Sequence, residues 1–205
     1  GAAIIAASAA LHFGSGLTSL IKTSESNLEQ FKISPQLMIA DSIPAKASAL
    51  VIGPGFAGQS DKELRVFINW FKNTNKPALV LDAGIFSLEN LCSILEELNK
   101  LDGGRIILTP HLYECQKLFS KIKESHQELE LSDEEFSVKN LANSAESKIK
   151  LGKIFNQLYP NTTLVMKSAN TFIASGGQTY ICKDGVQSLA KGGSGDVLSG
   201  MLGSL

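Results

Sequence analysis

Short apolar runs alternate along the chain with segments whose apolar residues recur at helical spacing. The runs are nearly unbroken over four or five positions, which is typical of strands buried on both faces of a sheet. The segments between them repeat apolar side chains three and four positions apart, as in helices with one buried face. This alternation predicts a mostly parallel sheet with helices on both faces. The predicted strands are 49–52, 78–82, 105–108 and 163–167, and the first two helical stripes are Leu64, Phe67, Ile68, Phe71 and Leu88, Leu91, Leu95, Leu98.

The N-terminal 21 residues carry no acidic or basic side chain other than His12 and are rich in Ala, Gly and Ser. No basic segment precedes them, and Gly14-Ser15-Gly16 interrupts them, which argues against a signal peptide or a membrane span. We expect a buried helix there, followed by a short strand over 17–21. The first amphipathic helix is expected to begin with a capping box formed by Ser60 and Glu63.

The C-terminal half predicts further elements. The acidic segment 124–137 is expected to be a solvated insertion or an exposed helix end. One helix is expected over 138–158. Residues 171–174 and 179–182 are rich in strand-forming side chains and are joined through Ser175-Gly176-Gly177-Gln178, which predicts a β-hairpin.

Length and composition favour one α/β domain over residues 1–205. Because the chain starts without Met and stops inside a predicted helix, we expect it to be truncated at both ends. The 19 basic and 20 acidic side chains give a net charge of −1 and are spread along the chain, which excludes a nucleic-acid stripe or a polybasic membrane patch. Cys92, Cys115 and Cys182 lie far apart in sequence, so a disulfide scaffold is not expected. The expected location is the reducing cytoplasm.

Polar residues and glycines follow the predicted strands at the point where each one ends. They are Gly53, Asp82, Thr109-Pro110-His111 and Lys167. Ligands of open α/β sheets bind beyond the carboxyl ends of the strands. We therefore expect these residues, the hairpin and the last glycine-rich loop to meet in one cleft.

That last loop, Gly192-Gly193-Ser194-Gly195-Asp196, leads into a run with helical apolar spacing. Its backbone N–H groups at a helix N-terminus are suited to hold an anion. A carboxylate would repel a bound phosphate, but Asp196 makes chemical sense as a base beside the anion hole. The alternative is an N-terminal acid that stabilises a helix after a flexible linker.

Taken in order, these motifs resemble the ADP- or ATP-dependent NAD(P)H-hydrate dehydratases, a ribokinase-like family often fused to an NAD(P)H-hydrate epimerase. The resemblance covers essentially the whole chain and implies a three-layer sandwich. It is carried by Gly53-Pro54-Gly55, Leu81-Asp82-Ala83, Leu108-Thr109-Pro110-His111-x-x-Glu114, Val165-Met166-Lys167-Ser168-Ala169-Asn170-Thr171 and Gly192-Gly193-Ser194-Gly195-Asp196.

The resemblance implies that the 6-hydroxy ring of the S epimer of hydrated NAD(P)H loses water, coupled to hydrolysis of ADP or ATP. It implies Mg²⁺, a partner or fused epimerase and a homo-oligomer. Asp196 would be the base, and Gly193, Ser194 and Gly195 would form the anion hole. The implied nucleotide-binding residues are Lys167, Ser168, Ala169, Asn170, Thr171 and Gly195, and the implied substrate-binding residues are Ala2, Gly53, Gly55, Asp82, His111 and Asp196.

Individual residues keep simpler interpretations. Asp82 could bind substrate or a water-coordinated Mg²⁺, or cap the next helix. His111 on residue type alone is more often a hydrogen-bonded structural residue. Lys167 could be an ordinary charge at a strand end. Glu114 could have no role beyond beginning a helix.

Three other functions compete with the dehydratase. The first is a ribokinase-like kinase of a small alcohol such as a vitamin precursor, which the Thr109-Pro110-His111 set disfavours. The second is a noncatalytic nucleotide-binding or assembly module, which Lys167 and Asp196 disfavour. It is suggested by departures from the family pattern at Ala57, Gly84, Leu112, Tyr113 and residues 186–188. A Rossmann dehydrogenase is the weakest, because no G-x-G-x-x-G follows the first strand.

Overall fold

The structure, a computed structural model, describes residues 1–22, 31–56 and 61–205, with the backbone alone for 61–64. The Ser60–Glu63 capping box and the Leu64 side chain therefore lie outside the described residues. The helices are α1 (Ala2–Phe13), α2 (Asp61–Asn73), α3 (Leu91–Asn99), α4 (Leu112–Ser125), α5 (Val138–Asn143), α6 (Ala145–Leu158) and α7 (Ser194–Ser204). The strands are β1 (Ser19–Ile21), β2 (Met38–Ala40), β3 (Ala49–Ile52), β4 (Ala78–Leu81), β5 (Arg105–Leu108), β6 (Thr162–Met166), β7 (Thr171–Ser175) and β8 (Gln178–Cys182).

The main sheet has six strands in the order β3-β4-β5-β6-β7-β8. Strands β3 to β6 run parallel, and β7 and β8 are antiparallel. Three consecutive residues of β4, Leu79, Val80 and Leu81, are buried. Because successive side chains point to opposite faces of a sheet, both faces are covered. The predicted α/β class and the C-terminal hairpin are confirmed.

The register of the parallel strands brings their carboxyl ends to one level. Ile52 pairs with Leu81, and Leu81 pairs with Leu108. The next backbone hydrogen bonds continue this level, since Asp82 N donates to Ile52 O and Lys167 N donates to Pro110 O at 2.8 Å. The residues after each strand therefore line one edge of the sheet, where α7 packs against β3 and β4.

Helix α1 differs from the predicted buried helix. Only Ala6 and Ala10 are buried in it, because α1 lies on α7 and reaches the sheet through that helix. The two helices approach closely, and a Cβ at Gly200 would overlap the carbonyl oxygen of Ala6. No helix in the described part of the chain is long and apolar enough to cross a membrane.

The single helix predicted over 138–158 is wrong. Ser144 adopts an extended conformation between α5 and α6, and its hydroxyl accepts a hydrogen bond from Ser147 N. A serine side chain that bonds the backbone of the next turn favours a helix start over a helix interior. The chain therefore turns at Ser144 and begins a second helix.

The prediction for the acidic segment 124–137 holds for its acidic side chains but misses its two anchors. Leu131 and Phe136 are buried in the core, while Asp133 and Glu134 are exposed. The segment is thus packed onto the domain through apolar residues that the surrounding charges obscured. The sequence also did not predict β2, which pairs in parallel with β1 in a separate two-stranded sheet.

Candidate active site

Asp82 lies at the centre of the edge formed by the strand ends. Its side chain is buried, with the residue 1% exposed. Oδ1 accepts a hydrogen bond from Lys167 Nζ at 2.7 Å, and Oδ2 accepts one from Ser199 Oγ at 2.5 Å. It makes no capping hydrogen bond to the 3₁₀ turn that follows it. Asp82 therefore ties the ends of β4 and β6 to α7, and the paired charges offset part of each other's desolvation.

The glycine-rich loop brings the first turn of α7 against this ion pair. Gly193 has a φ of 87°, a left-handed conformation that glycine adopts readily, and it is the N-cap of the helix. A Cβ at Gly195 would lie 3.2 Å from Lys167 Nζ. The backbone N–H groups of a first helical turn have no intrahelical acceptor. The loop therefore offers an anion site next to the Lys167 ammonium.

Ser194, in the same turn, adds a polar atom without a partner. Its Oγ is shielded from solvent and makes no hydrogen bond to any described residue. An unsatisfied buried hydroxyl costs about 1–3 kcal/mol. An anion bound at the helix N-terminus could accept a hydrogen bond from this hydroxyl and remove that cost.

Asp196 follows in the first turn of α7. Burial raises the pKa of its carboxyl group, the nearby Asp82 raises it further, and Lys167 partly offsets both effects. A carboxylate with increased proton affinity beside an anion hole is suited to accept a proton from a reacting hydroxyl.

His111 is the N-cap of α4 and forms a capping box with Glu114. Its Nδ1 accepts hydrogen bonds from Tyr113 N at 3.1 Å and Glu114 N at 3.3 Å, while Glu114 Oε2 accepts one from His111 N at 2.8 Å. Since Nδ1 accepts, the neutral ring carries its proton on Nε2. The side chain is 54% exposed, and its backbone forms a bridge with Lys167. His111 thus has a capping role and also borders the site.

Glu114 is itself perturbed. Burial raises the pKa of its carboxyl group, against the lowering effect of the His111 backbone N–H, the His111 ring and Lys167. The expectation that Glu114 begins a helix describes its contacts correctly, since it completes the cap of α4.

The turn after β3 brings Ala2 and the two predicted glycines to the same edge. Gly53 has a φ of 122°, and a Cβ there would overlap the carbonyl oxygen of Asp82. Gly55 lies beside the start of α1, where a Cβ would come within 3.9 Å of Ala2 Cβ. These residues form a wall built of small side chains and backbone.

The loop after Lys167 is held by its own side chains. Ser168 Oγ donates to Asn170 O, and Thr171 Oγ1 donates to Ser168 O at 3.3 Å. Ala169 and Asn170 are exposed. Gly185 packs over the loop so closely that a Cβ would overlap Ala169 O. Nucleotide binding by this loop stays a prediction.

Two polar residues of the site were missed in the sequence. Ser199 is the buried partner of Asp82, and Lys148 donates from α6 to Ser168 Oγ at 3.0 Å. Lys148 left a signal in the sequence, because it is a polar residue in phase with the apolar Leu151 and Phe155 of α6. Ser199 left only a weak one, since it follows Asp196 by three positions and so shares its side of α7.

The described residues do not fit a magnesium site built by the protein. Among the side chains that the structure describes, those of residues 1–22, 31–56 and 65–205, no group of three or more His, Cys, Asp or Glu could hold an ion. Both oxygens of Asp82 already accept hydrogen bonds. The chemistry proposed below uses the chain's own residues and the phosphates of the nucleotide.

The family model described as NAD(P)H-hydrate dehydratase matches residues 1–205. The chain is 32% identical to a bifunctional NAD(P)H-hydrate repair enzyme of Helicobacter pylori, over all of this chain and 38% of that protein. It is 31% identical to an ADP-dependent (S)-NAD(P)H-hydrate dehydratase of Neisseria meningitidis serogroup B, over all of this chain and 64% of that protein. The chain thus spans less than two thirds of either relative.

Solved structures show the fold. A ribokinase-like superfamily protein of Enterococcus faecalis superposes with a TM-score of 0.63 at 19% identity, covering 99% of this chain and 65% of that one. The likeness confirms the predicted ribokinase-like architecture. The chain belongs to the NAD(P)H-hydrate dehydratase family.

Proposed function

We propose that the protein dehydrates the S epimer of hydrated NAD(P)H to NAD(P)H, coupled to hydrolysis of ADP or ATP. The observation that carries the proposal is the position of Asp196, in the first turn of α7 and close enough to Asp82 and Lys167 for their charges to perturb its pKa. The names of the relatives support the same reaction, since they include ADP-dependent and ATP-dependent (S)-NAD(P)H-hydrate dehydratases.

The proposed chemistry begins with the hydroxyl group of the hydrated ring, which is a poor leaving group. Asp196 accepts its proton while the hydroxyl oxygen attacks the terminal phosphorus of the nucleotide, and the bond from that phosphorus to the rest of the nucleotide breaks. Backbone N–H groups of Gly195 and Asp196 and the Lys167 ammonium stabilise the transferred phosphoryl charge.

The second step is elimination. The ring C–O bond breaks, inorganic phosphate leaves with the former hydroxyl oxygen, and the adjacent ring carbon loses a proton to solvent water. The nucleotide ends with one phosphate fewer, and the ring regains its double bond. His111 and the wall of Ala2, Gly53 and Gly55 would hold the dinucleotide during both steps.

The test is to incubate the protein with hydrated NADH or NADPH and either nucleotide, and to follow the near-UV absorbance of the reduced nicotinamide. Its return together with release of inorganic phosphate is the expected result. A stable phosphate ester of a small alcohol would instead identify a kinase, and nucleotide binding without turnover would identify a noncatalytic module.

Other features belong to this proposal. They are Mg²⁺ that arrives with the nucleotide, a homo-oligomeric assembly, a cytoplasmic location, and one domain over residues 1–205. A fused or separate epimerase is proposed because relatives of this chain are named bifunctional repair enzymes.

Replacing His111 by Ala is expected to raise the KM for the hydrated dinucleotide by about ten- to a hundredfold, because one buried hydrogen bond to the substrate is lost. The same change removes the cap of α4, which costs about 1 kcal/mol. His111→Asn keeps an N-cap side chain and separates the two effects. If it restores both the melting temperature and KM, His111 only caps the helix.

Lys167→Met is expected to weaken nucleotide binding by about tenfold or more, because a charge-assisted hydrogen bond is worth about 1.5–3 kcal/mol. It also leaves the buried Asp82 carboxylate without its cation, so the protein should melt at a lower temperature. The double variant Asp82→Asn/Lys167→Met removes both charges. Calorimetry should find that its stability recovers while its nucleotide affinity does not; recovery of both would make Lys167 purely structural.

A further inference from the structure

Lys148 is a lysine in the interior of the domain. The residue is 4% exposed and lies on the buried side of α6, in phase with Leu151 and Phe155. Its ammonium donates to Ser168 Oγ at 3.0 Å and lies 4.8 Å from the centre of the Phe172 ring. In the described part of the chain it forms no ion pair with a carboxylate, unlike Lys150 on the same helix, which pairs with Glu135.

A buried ammonium without a counter-charge lowers the stability of the fold, and an apolar side chain of similar volume is commonly better at such a position. Burial lowers the pKa of Lys148 accordingly. Among the described residues, Cys115 is the titratable group whose charge would act on Lys148. Burial raises the pKa of that thiol, so it carries no compensating charge. Packing and stability therefore do not account for a lysine at this position.

The contacts of Lys148 lead directly to the loop Ser168–Thr171. The Ser168 hydroxyl accepts from Lys148 and donates to Asn170 O, so its rotamer is set from both sides. Phe172, whose ring contacts the Lys148 ammonium, lies in β7 directly after this loop. The loop is thus held by the hydrogen bond from Lys148 to Ser168, and Gly185 packs against it at Ala169.

We propose that Lys148 is a positioning residue of the nucleotide site, which holds the Ser168–Thr171 loop in shape through Ser168 and favours polyphosphate on that loop by its buried positive charge. The proposal rests on the proposed function, in which this loop binds an adenine nucleotide. A bound phosphate supplies the negative charge that the interior around Lys148 lacks, since a buried charge interacts over a longer range than an exposed one. Lys148 and Lys167 then act on the phosphates from two sides of the loop.

The test compares Lys148→Met with Lys153→Met, which removes an exposed lysine from the same helix. Calorimetry with ADP and with ATP measures affinity, and thermal unfolding without nucleotide measures stability. Lys148→Met is expected to bind either nucleotide at least tenfold more weakly than the wild type, with an unchanged or higher melting temperature. Lys153→Met is expected to match the wild type in both.

A loss of nucleotide affinity without a loss of thermal stability distinguishes a positioning role from a packing role. Equal affinities of Lys148→Met and wild type, or a fall in affinity matched by a fall in melting temperature, would overturn the proposal. If Lys148→Met does not fold, Lys148→Gln decides, because it removes the charge and keeps a hydrogen-bond donor toward Ser168. A loss of tenfold or more in nucleotide affinity supports the proposal, and an unchanged affinity refutes it. A wild type that binds neither nucleotide refutes the proposed function as well, whereas a binding wild type with an unaffected Lys148→Met refutes this inference alone.

Discussion

Asp196→Asn is expected to lower kcat by about 10²–10⁴-fold while leaving nucleotide affinity nearly unchanged. The amide keeps the size of the side chain but cannot accept the proton of the substrate hydroxyl, and loss of a general base costs a factor of this order. Steady-state kinetics with the hydrated dinucleotide, together with calorimetry of ADP or ATP, measures the two quantities. Asp102→Asn changes an exposed aspartate away from the site and serves as the control.

The raised pKa of Asp196 gives this prediction a pH signature. The base is active when ionised, so wild-type kcat/KM should fall as the pH is lowered through a value above that of an ordinary aspartate, about 3.9. This acid limb should be absent from the residual activity of Asp196→Asn. Activity of that variant within a few-fold of the wild type would exclude Asp196 as the base.

Stability separates lost chemistry from lost structure. Because the folded-state pKa of Asp196 is raised, its ionised form opposes folding, and this cost sets in as the pH rises above the pKa of the unfolded chain. At neutral pH the amide removes the cost. Asp196→Asn should therefore melt no lower than the wild type, and a large fall in its melting temperature would contradict the assignment.

Gly53→Ala is expected to destabilise the protein by more than about 4 kcal/mol, among the larger effects of single substitutions. The added Cβ would overlap the carbonyl oxygen of Asp82, which is backbone and has little freedom to move. Any shift of that strand end also moves the carboxylate that holds Lys167 and Ser199. The melting temperature should fall by on the order of 10 °C, since 1 kcal/mol corresponds to roughly 2–4 °C in a chain of this length.

Gly14→Ala is the matched control for this substitution. Gly14 has the same φ of 122° as Gly53, but no atom of the described residues lies within 4 Å of a Cβ built on it. It should therefore show only the backbone strain of a side chain at positive φ, about 1–2 kcal/mol. Thermal unfolding of the two variants separates strain from close approach. Equal losses in both would show that the contact between Gly53 and Asp82 contributes little.

The elements that the sequence predicted correctly depend on local patterns. Unbroken apolar runs identified β3 to β6, because a strand buried on both faces needs apolar side chains in both orientations. Two glycines between strand-forming runs identified the β7–β8 hairpin. Because the carboxyl ends of parallel strands lie at one edge of a sheet, the sequence also predicted that Asp82 and Lys167 lie at the same edge.

The elements that the sequence missed depend on a pairing partner elsewhere in the chain or on a side chain that competes for backbone hydrogen bonds. Strand β2 contains the exposed Met38 and Ile39 and exists through its pairing with β1. Ser144 divides one amphipathic pattern into two helices because its hydroxyl bonds the next turn, which periodicity does not register.

The candidate site shows the same division. The order of the motifs and the family resemblance that they carry selected Asp196, Lys167 and His111, and the roles of these residues stay predictions. The contacts that tune them join distant positions: Lys167 lies 85 residues from Asp82, Ser199 lies 117 from it, and Lys148 lies 20 from Ser168. A local pattern carries no information about such distances, because burial and charge compensation arise only when the strands and α7 pack together. The raised pKa of Asp196 and the buried charge of Lys148 therefore follow from the packing of the domain.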